Sequence, residues 1–377
     1  MWLENEKPSV LLPKLTPWET ALTQSGLPVC LFGTGNGADK IMDCLQSLGI
    51  RVSGVFSSDP FVRDRSFRGF RVESRREMED RLGKAAVLLC FGLSGEEGYR
   101  LLDGLAERHL VISPSSSVCG RDMRDMSRLL SGSGLETLDR IDGWLSDDLS
   151  KELFRRVLCW KVTGDHRWLD GPGGEDKCPD AYYAHSRIHV DVGAYDGDTV
   201  REYLSANPSV ERIMAFEPDG DNFRRLQAGT DPSRVDCFLA ACSDRNGVMP
   251  FEGGRGRGSA AGAQPRQTVP TWKLDTICGH AHLGDSGKDV GSLKIDAEGM
   301  DRQVLFGAAN LITDCRPVVR VSAYHKEEDL TEIPGILKRY VYQSELYFRK
   351  KPCVPAWDTE YVFVPAPRGR GRREAWV

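Results

Sequence analysis

The sequence predicts an α/β protein built from two doubly wound, Rossmann-like units. Three observations carry that expectation. Short apolar runs alternate with amphipathic stretches from about residue 28 to 113, and again from 188 to 366, as parallel strands with helical crossovers do. Two of these runs end in glycine-rich turns, "LFGTGNGADK" and "HVDVGAYDGDT", at the strand-to-helix position where such sheets take ligands. A chain of 377 residues also exceeds one ordinary domain.

Taken in order, "LPVCLFG" reads as a buried strand and "GADKIMDCLQSLG" as the helix behind it. "IRVSGVF" and "AAVLLCFG" are the next strands, "GEEGYRLLDGLAERH" a second helix and "LVISP" a further strand. These make a first domain over 1–130. Residues 131–184 read as a helical connector, with Ser146-Asp147-Asp148 as a cap region. The second domain spans 185–367, with "RIHVDVG", "RIMAFEP", "VDCFLAACS", "GSLKIDAEG", "PVVRVSAYH", "SELYFRK" and "EYVFVPA" as strands. The basic tail 368–377 is expected to be disordered.

Composition excludes several classes. Apolar residues are 40% and charged residues 28%, a soluble globular balance. A net charge of −5 gives no case for nucleic acid or a membrane surface. No stretch of about 18 apolar residues occurs, so no membrane span is expected. The start "MWLENEKPSV" does not read as a signal peptide. The eleven cysteines, Cys30, Cys90 and Cys237 among them, show no C-x-x-C pair, which suits reduced, mostly buried thiols of a cytoplasmic protein. His280 and His282 read as a solvated loop, because no second ligand cluster follows at zinc spacing, and no metal is expected. Oligomeric state is not legible.

The turn after "IHVDVG" is the informative one. Gly193 lets the chain turn as the strand ends, Gly197 gives a second close approach, and Asp198 and Thr199 open a helix. A dinucleotide fits poorly, because the spacing is Gly193-x-x-x-Gly197 and not G-x-G-x-x-G. Asp196 and Asp198 would also face its phosphates. An acidic loop suits a cation instead, and S-adenosylmethionine carries a sulfonium and an ammonium. Glu217, at the end of "RIMAFEP", can accept both ribose hydroxyls, and Ala241, Cys242 and Ser243 can flank an adenine. The competing reading makes Asp198 a helix cap and Glu217 a surface acid.

From about Ile188 to Ala366 the chain resembles the FkbM family of S-adenosylmethionine-dependent methyltransferases. The matching segments are "HVDVGAYDGDT", "AFEPDGDNFRRL", "AACSDRNG", "LKIDAEGMDRQVLFGAANLI" and "RPVVRVSAYHKEEDLTEIPGIL". Asp301 departs from the glutamate usual in the family's "EGAE". The insert 252–267, "EGGRGRGSAAGAQPRQ", has no assigned role. The resemblance implies a class I methyltransferase fold with an antiparallel closing strand. It also implies O-methylation of a hydroxyl on a glycan or secondary metabolite. The cofactor would meet Asp191, Gly193, Ala194, Tyr195, Asp196, Gly197, Asp198, Thr199, Glu217, Pro218, Ala241, Cys242, Ser243 and Asp296.

A neutral hydroxyl benefits from a base. His325, after "PVVRVSAY", is the candidate, with Asp296 or Glu298 orienting it. Asp296 as the base, or Asp296, Glu298 and His325 as ligands of a divalent ion, are the alternatives. Lys294 reads as a structural ion pair with a neighbouring acid, and the "HKEED" acids as a solvated helix start.

The first domain carries Gly33-x-Gly35-x-x-Ala38 after a strand, but the acid expected after the second strand is displaced: Ser57 and Ser58 precede Asp59. Nucleotide or nucleotide-sugar binding and a degenerate scaffold stay open for it. Alternatives for the whole chain are a nucleotide-sugar-binding or assembly protein, and an NAD-dependent sugar oxidoreductase.

Overall fold

The structure is a computed structural model. It describes residues 6–58, 65–115, 129–170, 180–183, 186–251, 267–278 and 290–366. The insert 252–266, the tail 367–377, Asp59, His280 and His282 lie outside the described residues.

The strands in chain order are β1 (Val29–Phe32), β2 (Val52–Ser57), β3 (Ser66–Phe67), β4 (Phe70–Ser74), β5 (Ala86–Leu89), β6 (Leu93–Ser94) and β7 (Leu110–Ile112). There follow β8 (Ile188–Val192), β9 (Arg212–Phe216), β10 (Val235–Phe238), β11 (Ala241–Cys242), β12 (Gly247–Phe251) and β13 (Gln267–Trp272). The last are β14 (Val290–Ile295), β15 (Val318–Ser322), β16 (Ser344–Lys350), β17 (Cys353–Val354) and β18 (Thr359–Pro365). The chain divides into two compact units. One comprises 1–177, 323–331 and 348–360; the other comprises 178–322, 332–347 and 361–377.

The first unit holds a sheet of order β3-β4-β2-β1-β5-β7. β1 pairs in parallel with β2 and β5, as β2 does with β4 and β5 with β7. Helix Asn36–Ser47 packs Ala38, Ile41, Met42 and Leu45 into the cluster formed by Leu31, Val55 and Leu88, each large side chain adding about 1.5–3 kcal/mol of burial. The strands β3 and β4 were not expected. Behind them helix Arg75–Leu82 starts on a capping box, with Ser74 and Glu77 bonding each other's backbone N–H.

The helices Gly132–Trp144 and Asp148–Thr163 pack within this unit and do not stand apart as a connector. Asp147 caps the second, accepting from Ser150 N at 2.7 Å. Ser150 Oγ accepts from Phe348 N and Arg349 Nη1, so residues 348 and 349 return to this helix. β17 pairs antiparallel with β6. The "HKEED" acids are not solvated as expected: Glu327 pairs with Lys161 at 2.7 Å, both nearly buried, and buried Asp329 accepts from Lys326 N.

The second unit is organised by a sheet of order β10-β9-β8-β14-β15-β18-β16. β8 is buried along its whole length and runs parallel to both neighbours, β9 and β14. The expected strand "VDCFLAACS" is two strands. β10 ends at Phe238, and Ala241–Cys242 pairs with β13 in a separate sheet of order β11-β13-β12. The turn between them breaks the run, with Ala240 N bonded back to Phe238 O. Nine described cysteines are free thiols, six of them buried; Cys237 is half-buried. No helix among the described residues is long and apolar enough to cross a membrane.

Candidate functional site

The second unit's site is built where β8 and β14 end side by side. Gly193 follows β8 at φ +76°, and a Cβ there would stand 1.9 Å from the Asp296 carbonyl oxygen. Only glycine fits both the turn and that approach. Gly193 N and Ala194 N both donate to Phe216 O at the end of β9. Tyr195 is left-handed at φ 50°, uncommon without glycine. Gly197 follows at φ +88° and precedes helix Asp198–Ala206. Asp196 pairs with Arg201 at 3.1 Å, and Asp198 Oδ1 accepts from Thr199 N.

Beneath the loop lies a buried cross-strand pair. Asp191 and Lys294 sit opposite each other on β8 and β14. Lys294 Nζ is 3.1 Å from Asp191 Oδ1 and donates to Gly193 O at 2.7 Å. Asp191 Oδ2 accepts from Thr199 Oγ1 at 2.6 Å. Burial pulls the Lys294 pKa down, but the Asp191, Asp296 and Asp198 carboxylates outweigh it, so the ammonium stays charged. The ion pair expected for Lys294 is present.

Glu217 follows β9 and is 5% exposed. Its Oε2 accepts from Tyr195 N at 2.9 Å and its Oε1 from Asp219 N at 2.8 Å. It is therefore no surface acid. Burial pushes its pKa up to about 7, against the pull of those backbone bonds and of the Asn222 side chain. A carboxylate has about four lone-pair sites, and its charge remains under-compensated. With those three donors in place, one lone-pair site remains for a further donor, such as a hydroxyl. Pro218 leads into Asp219, which caps helix Gly220–Ala228 through Asp221 N and Asn222 N.

The remaining candidates are placed as follows. Ala241 and Cys242 form β11, and Ser243 N donates to Trp272 O; the strand next to β9 ends earlier, at Phe238, whose carbonyl accepts from Glu217 N. Asp296 and Glu298 lie in the turn after β14, Glu298 at φ 45°. That turn is clasped by Asp301, whose carboxylate accepts from Ala297 N and Gly299 N, so the shorter acid has a structural task. His325 is fully buried three residues after β15, its ring centroid 4.2 Å from that of Tyr324, and it packs with the first unit. The left-handed Tyr195 tied to Glu217, and the Asp301 clasp, were not foreseen.

The first unit's glycine turn was a second candidate. Gly33 has φ +115°, Gly35 faces open space, and a Cβ on Gly37 would meet Cys90 O at 2.1 Å. The first two have the turn and approach roles of the fingerprint; Gly37 packs closely one position before its third residue, Ala38. The space beside Gly33 is filled by the Phe91 ring, and Gly92 is covered by the Trp357 indole.

Residues 191–344 match the model of the methyltransferase FkbM domain. Over 151 residues the chain is 28% identical to the 2-O-methyltransferase NoeI of Sinorhizobium fredii (strain NBRC 101917 / NGR234). That match covers 34% of this chain and 60% of the relative. The crystal structure of methyltransferase FkbM from Methylobacillus flagellatus KT superposes with a TM-score of 0.65 over 92% of each chain, at 17% identity, a likeness of fold. The family match thus covers residues 191–344, less than half of the chain.

Proposed function

We propose that the chain transfers a methyl group from S-adenosylmethionine to a hydroxyl of a glycan or secondary metabolite. The observation that carries the reading is Glu217: a buried, under-compensated carboxylate fastened to a left-handed glycine loop at the end of the central strand. The relative named a 2-O-methyltransferase supports oxygen as the accepting atom.

When bound, the cofactor supplies an electrophilic methyl group on a sulfonium. Glu217 would accept from the ribose diol on the lone pair that its backbone partners and Asn222 leave. Gly193, Ala194, Tyr195, Asp196 and Gly197 form the wall of the pocket, with Asp198 and Thr199 opening the helix behind it. Pro218 fixes the turn beside Glu217. Ala241, Cys242 and Ser243 flank the base, and Asp296 faces the methionine end. Holding the acceptor oxygen in line is worth about 7–11 kcal/mol in favourable cases. His325 would take the acceptor proton as the methyl carbon's bond to sulfur breaks and its bond to the acceptor oxygen forms, with Asp296 or Glu298 orienting it. That assignment rests on chain position: these residues follow β14 and β15, adjacent parallel strands.

For the first unit we propose a scaffold role, because the Phe91 ring fills the space beside Gly33 in the turn that a dinucleotide would need. Calorimetric titration of the full chain with S-adenosylmethionine and NAD separately tests both statements. Binding of the first alone is expected. Binding of NAD without the first overturns the reading.

A further inference from the structure

Resting on that methyltransferase reading, we propose that Asp191 and Lys294 are positioning residues of the cofactor loop, acting through its backbone and not as a charge facing the cofactor. An acid at the end of the first strand invites a direct role, a carboxylate attracting a sulfonium. The geometry points elsewhere. Asp191 is fully buried, and each oxygen is already engaged, one by Lys294 and one by Thr199. Its charge is met at 3.1 Å by an ammonium held in its charged form, so the pair presents little net charge to a ligand.

What the pair does hold is the loop. Lys294 grips the Gly193 carbonyl at the loop's entry, and Asp191 grips the Thr199 hydroxyl at its exit. Between those two fastenings lie three left-handed residues, Gly193, Tyr195 and Gly197. For Tyr195, which carries a Cβ, such a conformation persists only where surrounding contacts over-determine it. One cross-strand pair, set by the β8–β14 register, therefore fixes both ends of the turn that shapes the pocket wall.

Charge and position can be separated with two ligands. S-adenosylmethionine carries one net positive charge near neutral pH; S-adenosylhomocysteine, its demethylated product, carries none. The full-length variant Asp191→Asn with Lys294→Met replaces the ion pair by neutral groups of similar size and leaves no orphaned buried charge. Calorimetric titration should show both ligands weakened by a common factor of about ten, the worth of a lost hydrogen bond or two. Selective loss of S-adenosylmethionine, with its product bound as before, would mean a direct charge contact and overturn the proposal. Unchanged affinity for both would reduce the pair to a structural ion pair and overturn it equally. Thr199→Val keeps both charges and cuts only the exit fastening. It gives the same reading where the double variant does not fold, with an equal, few-fold weakening of both ligands expected. Failure of the methyltransferase reading shows separately, as a wild-type chain that binds neither ligand, and takes the proposal with it.

Discussion

Glu217 makes cofactor affinity a function of pH. Its pKa stands at about 7 because burial opposes the charged form more strongly than its hydrogen-bond donors favour it. If the ribose diol binds the ionised carboxylate, the apparent Kd rises as the competent fraction falls. Taking the pKa as about 7, that fraction is about one half at pH 7, one tenth at pH 6 and one hundredth at pH 5. Affinity should therefore drop about fivefold from pH 7 to 6 and about tenfold, or about 1.4 kcal/mol, from pH 6 to 5, and level off above pH 8. S-adenosylhomocysteine is the ligand of choice, because its carboxyl and amino groups do not titrate between pH 5 and 7. Calorimetry in buffers of different ionisation enthalpy should also record proton release on binding at pH 6. Glu217→Gln should flatten the profile. It should also weaken binding by about 1–3 kcal/mol, because its amide nitrogen faces either Tyr195 N or Asp219 N, donor against donor. An affinity independent of pH from 5.5 to 8 in the wild type would refute the reasoning. The same group has a stability signature. Its folded pKa lies above its unfolded value, so its contribution is full below about pH 4.5 and is lost as pH rises to about 7. The loss is on the order of 3 kcal/mol at most.

Three further outcomes follow from the geometry. Gly193→Ala sets a Cβ 1.9 Å from the Asp296 carbonyl at φ +76° and should cost about 2–4 kcal/mol in urea unfolding; Gly197→Ala meets flexible side-chain ends of Arg201 and Leu226 at 3.1 Å and should cost less, so equal losses would contradict the placement. His325→Gln should lower turnover by about 10²–10⁴-fold and remove a pH–rate limb; full turnover with an unchanged pH profile would end its role as base. A fragment beginning at Leu135 loses β6 and Gly92, leaving β17 without its partner strand and Trp357 without cover; it should melt well below the full chain, and an equal melting temperature would show that these contacts within the first unit add nothing to its stability.

Much of the fold was legible because burial writes itself into the sequence as apolar runs. β1, β2, β5, β8, β9, β14 and β15 are such runs, each covered on both faces. β3 and β4 were not seen because "SFRGFRVES" alternates half-buried and exposed positions, with Arg68 and Arg71 among its members. The signal that could have found their end is Ser74-x-x-Glu77, a capping box that needs no tertiary information. The split of "VDCFLAACS" was not readable at all. Its residues stay apolar across the turn, and which sheet each half joins is decided by partners elsewhere in the chain, Arg212–Phe216 for one and Thr271–Trp272 for the other. The burial of Glu327 likewise depends on Lys161, 166 residues away.

The site divides along the same line. The glycines announced the turn, because a position that forbids a Cβ leaves only one residue type. The acids did not announce their roles, since a carboxylate looks the same in sequence whether it meets solvent, a cation or a ligand. Asp196, read with Asp198 as an acidic loop for a cationic cofactor, pairs with Arg201, and Asp191 beneath that loop pairs with Lys294. Glu217, which could have been a surface acid, is buried and bonded only to backbone N–H groups and Asn222. The capacity to accept a further hydrogen bond thus resides in the one carboxylate of the three without a cationic partner among its described contacts. On the proposed reading, recognition at this loop rests on shape and on Glu217, and the negative charge of Asp191 and Asp196 is met by the chain's own cations.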